Sequence, residues 1–422
     1  MATLLQMIFF AVAIAGSAYF VVRRRKFDFF TIGFASALVY FLPGFFGFVR
    51  SSRDFALPEP LHPETYLVFL AVLLSVLVGA MIFDHLLAND AAVTKRHVPV
   101  EFTTEMALGL AVFGLFATLI TSGSDLFSAQ KADVMEATGR WHILFRFGAI
   151  YMLAFATLRR QSALATAGIL LLLFDLYIGF RIGVVIGVLA AATIVLHSRG
   201  AQSLIRSERR TIVAGVLLVA VVFIYKRIYT VVKLGLWDTV VARLTDPEIL
   251  FLALMTSEPF GTQSVLNEVI RTGFHTGPAH LSSVASLLVP FSNMLGAEVT
   301  SFNSLFQERL FGGVVRGGMA ANIWAQMYAI GGWLGLGIGI PVFVGLLGIG
   351  SWLLNTSKGA IVVLVAVAFT FLAFYIHRND VLFMLVLLRR TLMVWFVLVI
   401  PGMLLVDARK SRGSGSTTEA FS

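Results

Sequence analysis

The chain contains no cysteine and few charged residues. None of its 422 residues is a cysteine, and only 13% are Asp, Glu, Lys or Arg, against roughly 25% in a typical soluble protein. The absence of cysteine excludes disulfide bonds and thiolate metal ligands. The low charge, with a hydrophobic fraction of 58% and a mean hydropathy of +0.88, indicates an integral membrane protein.

The motifs of several nucleotide-dependent and hydrolytic enzymes are also missing. The sequence has no Walker A loop, no G-x-G-x-x-G fingerprint, no G-x-S-x-G elbow and no D-x-D pair. Because these motifs are missing, we expect no cofactor. We also expect no metal, since His275 and His280 are spaced like metal ligands but lack a third ligand nearby. The net charge of +9 lies in connections and at the ends of apolar runs. Anionic lipid and membrane topology explain that placement, so the expected partner is the bilayer and not nucleic acid.

Apolar runs of spanning length alternate with short connections over most of the chain. They predict an all-α polytopic fold of about 11 transmembrane helices, since a span needs roughly 20 apolar residues. The basic cluster from Arg23 to Lys26 follows the first run and predicts an outside N-terminus. Residues 163–197 are predicted to form two helices joined by a turn at Gly179, Phe180 and Arg181. Two helices leave the basic cluster from Arg199 to Arg210 on the inner side, like the earlier basic connections.

The predicted organisation has four parts. Residues 1–225 hold the N-terminal spans, and residues 226–321 form one large loop on the outer side. Residues 322–406 hold the closing spans. Residues 407–422 are rich in Ser, Gly and Thr and predict a disordered cytoplasmic tail.

The large loop is where we expect the chemistry, because long loops on a rigid scaffold carry function. Its apolar blocks at residues 249–256 and 281–291 predict short helices that lie on the membrane domain. Glu258 follows the first block, and His280 precedes the second. Either side chain could be a general base if it is partly buried. The alternative for each is a solvated polar residue of an exposed loop.

Several arginines lie in segments that are predicted at or near the outer side of the membrane. Arg181 lies in the turn between two short apolar helices, where an ionisable group at membrane depth predicts a functional role. The alternative is an arginine that extends to the surface and pairs with a local carboxylate such as Asp175. The candidate anion-binding arginines are Arg181, Arg271, Arg309, Arg316 and Arg378.

A glycine-rich string begins the closing spans. Gly331, Gly335 and Gly339 recur every four residues and predict a bare helix face that another helix can approach. Asn322 and Gln326 are also four residues apart, so they share a face at the predicted outer boundary. Polar side chains there are candidates for holding a sugar hydroxyl.

Three short motifs, in order, resemble those of a known family. They are the Gly179–Phe180–Arg181 turn, the string Gly-Gly-x-x-Ala-Asn…Tyr…Gly-Gly-x-x-Gly from Gly317 to Gly335, and the Arg378-Asn379-Asp380 turn. With the arrangement of the spans and the late outer loop, they resemble the Wzy-type O-antigen (oligosaccharide repeat-unit) polymerases. The related O-antigen ligases carry a His-Asn pair where this chain has Ala321-Asn322, which argues against a ligase and leaves the base unassigned.

The resemblance implies a metal-independent glycosyltransferase in the bacterial inner membrane, with its active site on the periplasmic face. It implies undecaprenyl-diphosphate-linked oligosaccharide as substrate and a chain-length regulator protein as a further partner. The candidate catalytic residues are Arg181 and Arg316, together with Glu258 and His280 as the candidate bases. The implied substrate-binding residues are Arg309, Arg378, Asn322, Gln326, Tyr328 and Arg271.

Two further functions stay open. A lipid-linked oligosaccharide flippase or other transporter would also be polytopic, but transporters usually show internal repeats with broken helices in matching positions, and the sequence shows neither. A scaffold of a polysaccharide assembly complex would not need so many cations near the outer face.

Overall fold

A computed structural model describes residues 2–22, 27–51, 57–87, 96–98, 101–199, 225, 228–255, 257–285, 300–311 and 320–415. Almost all of these residues are helical, as predicted. The strands among them are four segments of three residues each: β1 (Phe48–Arg50), β2 (Pro58–Pro60), β3 (Arg96–Val98) and β4 (Ser357–Gly359). β1 pairs antiparallel with β2, and β3 pairs parallel with β4.

Of the helices numbered within the described residues, nine precede the loop region, five lie in it and three follow it. The first nine are α1 (Ala2–Val22), α2 (Phe29–Tyr40), α3 (Leu42–Phe46), α4 (Pro63–Leu87), α5 (Thr103–Ser122), α6 (Lys131–Ala137), α7 (Arg140–Arg159), α8 (Ser162–Ile178) and α9 (Ile182–Arg199). The loop region contains α10 (Trp237–Thr245), α11 (Pro247–Met255), α12 (Glu258–Thr272), α13 (Pro278–Ala285) and α14 (Phe302–Phe311). The last three are α15 (Ile323–Thr356), α16 (Ala360–Tyr375) and α17 (Val381–Gly415).

Within the described residues, 6 helices are long and apolar enough to cross a membrane: α1, α4, α5, α7, α15 and α17. The shorter apolar helices α2, α8, α9 and α16 correspond to four more predicted spans. The remaining predicted span, residues 211–224, lies outside the described residues. The membrane-protein class is therefore confirmed, and the total of about eleven spans stays a prediction.

The turn predicted at Gly179 is present between α8 and α9. Gly179 has φ +120, a left-handed conformation that L side chains rarely adopt. An added Cβ there would also lie 3.0 Å from the hydroxyl of Tyr229. Both observations explain why residues 163–197 form two short helices and not one long one.

Two predicted boundaries are wrong. The predicted span over residues 29–48 is broken at Phe41, and α3 starts afresh with Pro43 in its first turn. Proline is tolerated there because the first helical N–H groups need no intrahelical acceptor. At the other end, α17 extends to Gly415, so the tail predicted to be disordered from residue 407 is helical as far as that residue.

The glycine-rich string behaves differently from its prediction. α15 is interrupted at Gly331 and Gly332, and Gly332 has φ 56 and ψ −137. After this break, an added Cβ on Gly335 would lie 2.1 Å from the carbonyl oxygen of Met327. Gly331 and Gly332 therefore let α15 bend back on itself. Gly335 then packs against the backbone of α15 and does not offer a bare face to another helix.

We expect Gly335→Ala and Gly337→Ala to change stability in opposite directions. The added methyl of Gly335→Ala meets backbone, and overpacking of this kind costs roughly 1–3 kcal/mol. Nothing lies within 4 Å of a Cβ on Gly337, so alanine there should add about 0.5–1 kcal/mol by restricting the unfolded chain. Thermal unfolding of both purified variants in detergent measures the difference. Equal midpoints for both would contradict this account of the kink.

The chain divides into two compact units. The first comprises Met1–Ala92, Val241–Trp352 and Phe369–Leu388, and the second comprises Val93–Val240, Leu353–Ala368 and Arg389–Ser422. In the first unit, residues 259–270 of α12 are buried except for Gly261. The side-chain oxygen of Asn267 on α12 accepts from the backbone N–H of His62 at 2.7 Å. The short helices predicted from the two apolar blocks are present as α11 and α13, and residues 256 and 286–291 of these blocks lie outside the described residues. Because α12 is packed, the large loop is not a free linker.

Candidate functional site

An ion pair in the first unit joins the large loop to the turn before the last helix. The carboxylate of Glu258, the first residue of α12, contacts the guanidinium of Arg378, which lies between α16 and α17. The Glu258 side chain is 10% exposed and that of Arg378 is 27% exposed. Tyr40, the last residue of α2, donates its hydroxyl to the same carboxylate at 3.4 Å. We call these three residues the Glu258 cluster.

Local sequence explains the position of Glu258. Ser257 is extended, and α12 begins directly after it with Pro259 in its first turn, a favoured place for proline. The free N–H groups at a helix N-terminus carry partial positive charge and favour a carboxylate there. A glutamate followed by a proline thus both starts the helix and fixes the carboxylate at its end.

Arg378 is held by the end of α16. The helix stops at Tyr375, and the backbone N–H of Arg378 donates to the Tyr375 carbonyl at 3.1 Å. The guanidinium carbon lies 5.7 Å from the Tyr375 ring centroid. Burial alone would lower the pKa of Arg378, but the neighbouring charge of Glu258 outweighs it and raises that pKa above its ordinary value. The guanidinium is a fixed positive charge with part of its surface open.

The other two residues of the Arg-Asn-Asp turn shape the backbone. Asn379 donates its side-chain amide to the Tyr375 carbonyl at 3.0 Å. Asp380 accepts from the backbone N–H of Phe383 at 2.8 Å, which caps α17, and from that of Phe302 at 3.2 Å, which fixes the start of α14. Burial raises the pKa of Asp380, and these backbone donors oppose that rise.

Asn322 and Gln326 are fully buried and have protein partners. Asn322 accepts from the backbone N–H of Trp324 at 2.9 Å and donates to the side chain of Gln263 at 3.0 Å. Gln326 accepts from the N–H of Val381 at 2.9 Å. All these contacts lie inside the protein, and the role of the two amides in holding a sugar hydroxyl stays a prediction. The two amides position α15 against α12 and α17.

His280 belongs to the same polar network. Its Nε2 lies 3.0 Å from the amide nitrogen of Gln326, which can only donate, so the assigned tautomer carries its proton on Nδ1. Burial lowers the pKa of His280, and the charge of Asp380 opposes that shift. A neutral imidazole at pH 7 follows, with Nε2 already accepting a hydrogen bond.

Three other predicted binding residues of the first unit have different surroundings. Arg271 is bonded to Glu268 at 2.6 Å and lies 3.4 Å from Glu59. These contacts raise the pKa of Arg271, with the Glu268 hydrogen bond as the largest cause. The two carboxylates balance the positive charge of the guanidinium. Its predicted role as an anion ligand is not supported. Tyr328 donates its hydroxyl to Glu64 at 2.9 Å, and Arg309 is exposed on α14.

Two predicted arginines remain. Arg316 lies outside the described residues. Arg181 belongs to the second unit, where it is half-buried and its carbonyl accepts from the N–H of Val185 at the start of α9.

The second unit has its own buried carboxylate. Asp175 on α8 is 0% exposed and lies 2.7 Å from Nε2 of His142 and 2.8 Å from Nε of Arg146. The Arg146 guanidinium also lies over the Phe180 ring, 4.5 Å from its centroid. Both partners of Asp175 are on α7, so this cluster ties the two helices together below the Gly179 turn.

Sequence reasoning missed Tyr40 and His377. Tyr40 ends an apolar helix and looks like an ordinary interfacial tyrosine. His377 precedes Arg378, is fully buried and accepts from Trp324 Nε1 at 3.0 Å. Burial lowers the pKa of His377 to about 3, opposed by the Gly33 backbone, so this ring is a neutral packing element beside the cluster.

Composition and fold define the class of the protein: an all-α polytopic membrane protein. Comparison with protein-family models, with curated proteins and with solved structures found no match. Within the described residues, no group of three or more His, Asp or Glu side chains is close enough to hold a metal ion.

Proposed function

We propose that the protein is an oligosaccharide repeat-unit polymerase of the bacterial inner membrane. It would join undecaprenyl-diphosphate-linked oligosaccharides into O-antigen or a similar surface polysaccharide on the periplasmic face. The observation that carries the proposal is the Glu258 cluster, in which a partly open arginine and a nearly buried carboxylate meet where the large loop joins the closing helices. A protein that sets chain length is the expected partner.

The cluster matches the charge changes of the proposed reaction. The bond between the anomeric carbon of the growing chain and its lipid diphosphate breaks, and the electron pair leaves with the diphosphate. A hydroxyl oxygen of the acceptor sugar forms the new bond to that carbon and loses its proton. Arg378 supplies planar paired donors for the negative charge that develops on the diphosphate.

Glu258 is the preferred acceptor of the proton. Its carboxylate contacts Arg378 in the structure, and a bound diphosphate would compete for the same guanidinium donors. Substrate binding would then release the carboxylate to accept the proton of the attacking hydroxyl. His280 is second, because its Nε2 already accepts from Gln326.

One observation favours the transporter alternative. α15 is broken at Gly331 and Gly332, and the α2–α3 segment is broken at Phe41. Discontinuous helices are typical of transporter binding sites. The two breaks lie in segments with no repeat relation in the sequence, which is why we rank this function second.

Purified protein in liposomes separates the two functions. The liposomes contain lipid extract from a deletion strain of the source organism, which would accumulate the lipid-linked repeat units. A polymerase produces lipid-linked products of two or more units, seen as a ladder on a gel. A transporter moves the single units across the bilayer without lengthening them. Transfer without any ladder would overturn the proposed reaction.

The orientation can be tested with single-cysteine variants, because the chain has no cysteine of its own. We expect Ala279→Cys, on the exposed side of α13, to react with a membrane-impermeant maleimide in intact spheroplasts. Lys358→Cys, exposed after α15, should react only after permeabilisation. The reverse pattern would place the Glu258 cluster on the cytoplasmic side and exclude a periplasmic active site.

A further inference from the structure

α10 exposes an apolar stripe outside the candidate membrane spans. Trp237, Val241 and Leu244 follow the i, i+4, i+7 spacing of one helix face and are 63%, 61% and 39% exposed. Leu234 and Leu236, just before the helix, are 57% and 50% exposed. Five large apolar side chains are thus exposed within this short segment, more than the single apolar residues scattered over an ordinary surface.

The opposite face of α10 is polar and exposed as well. Asp238, Thr239 and Arg243 lie on it, about 100–240° around the helix from Trp237 at 100° per residue. Val240, at one edge of the apolar stripe, is the buried residue of this helix. Val240 is therefore buried at one edge of the helix, and the side chains of both faces are exposed to solvent.

The segment before α10 is anchored at the ends of apolar helices in the second unit. Tyr229 donates its hydroxyl to the carbonyl of Ile178, the last residue of α8, at 2.9 Å. Lys233 donates to the carbonyl of Ser128 at 2.8 Å. Ser128 directly follows the candidate span Thr103–Phe127. The anchor is thus where a candidate span and the apolar helix α8 end.

An exposed aromatic residue lies beside this anchor at the end of α8. Tyr177, one residue before the end of α8, is 43% exposed, and Lys233 Nζ lies 5.8 Å from its ring centroid. Tyrosine and tryptophan concentrate where the bilayer meets water. Trp237 is four residues from Lys233, so it lies at most about 14 Å from this anchor.

We propose that α10 is an interfacial helix that lies in the surface layer of the bilayer beside the end of α8. Its apolar stripe contacts lipid acyl chains, and its polar face contacts water. A lipid surface fits better than a protein partner, because the exposed apolar segment begins at the end of a candidate span and continues its aromatic belt. This inference does not depend on the proposed polymerase activity.

The test uses paired single-cysteine variants labelled with the fluorophore NBD. Val241→Cys places the label on the apolar stripe, and Thr239→Cys places it on the polar face of the same turn. The full-length protein is reconstituted in liposomes of phosphatidylethanolamine and phosphatidylglycerol. We expect nitroxide-labelled lipid to quench the Val241→Cys label several-fold more than the Thr239→Cys label, and iodide to show the opposite order.

A second pair, Leu244→Cys and Ala242→Cys, repeats the measurement one turn later and guards against a local effect of one label. Gel filtration of each variant against the unmodified protein checks that it is folded. Iodide access to both apolar-stripe labels without quenching by lipid would overturn the proposal, as would equal lipid quenching of both faces. Either result would mean that the stripe is not oriented in a bilayer surface.

Discussion

Replacing Arg378 by lysine should abolish most polymer while the protein remains in the membrane. Lysine keeps the charge but loses the planar pair of donors that fits a diphosphate. Loss of one such contact in a water-poor site costs roughly 3 kcal/mol, on the order of a hundredfold in rate. The measurement is surface glycan length on a gel after complementation of the deletion strain.

Arg271→Lys is the matched control for this prediction. Arg271 lies on α12, the helix that Glu258 begins, but it is exposed and paired with Glu268. A surface pair of this kind contributes roughly 0–1 kcal/mol, so full-length ladders should persist. Membrane levels are measured for both variants. Full-length ladders from Arg378→Lys at normal levels would remove Arg378 from the active site.

The corresponding substitutions at Arg181 and Arg316 extend the same test. Sequence reasoning placed both arginines beside the diphosphate, and we expect lysine at either position to remove most polymer. If Arg378→Lys abolishes the ladder and these two variants do not, the anion site is confined to the Glu258 cluster.

The largest loss of stability should come from Asp175→Asn. The substitution leaves Arg146 charged beside a fully buried position that has lost its anion. Breaking a buried pair by removing one partner typically costs about 3–5 kcal/mol. The thermal unfolding midpoint of the purified protein should fall by many degrees, and expression should fall with it.

A double variant and a surface control make this second prediction specific. Asp175→Asn combined with Arg146→Gln removes both charges and should recover part of the lost stability, because no uncompensated charge remains. Asp125→Asn, at an exposed position, should change the midpoint little. A single Asp175→Asn variant as stable as the unmodified protein would show that the charge network does not hold α7 and α8 together.

Helices and turns were predictable because their signals are local. The Gly179 turn was found because the apolar run is too long for one span, and two spans leave the following basic cluster on the inner side. Two of the short helices of the large loop, α11 and α13, were found from their apolar blocks. The breaks at Phe41 and Gly332 were not, because a helix can contain an isolated proline or glycine, and only the packing around it decides whether it bends.

The charged residues of the Glu258 cluster and of the Asp175 cluster were noticed in the sequence, but their contacts were not predictable, because the partners are far apart along the chain. Glu258 and Arg378 stood out as charges beside apolar segments, but their contact spans 120 positions, the difference between their residue numbers. Asp175 was noticed, yet its partners His142 and Arg146 precede it by 33 and 29 positions. No sequence period links such pairs. For Asn322 and Gln326, the sequence correctly predicted that they share a helix face. It did not predict that this face is buried inside the protein.

The attachments of Arg378, Asn379 and Asp380 constrain the length of the turn that they form. Its three residues serve three different parts of the first unit: Arg378 reaches Glu258, Asn379 closes α16, and Asp380 holds both α17 and α14. One inserted residue would displace Asp380 by up to about 3.5 Å and break at least one of these attachments. Homologous chains should therefore vary in length at other connections and conserve the spacing of this one, which makes it a sound anchor for aligning distant members.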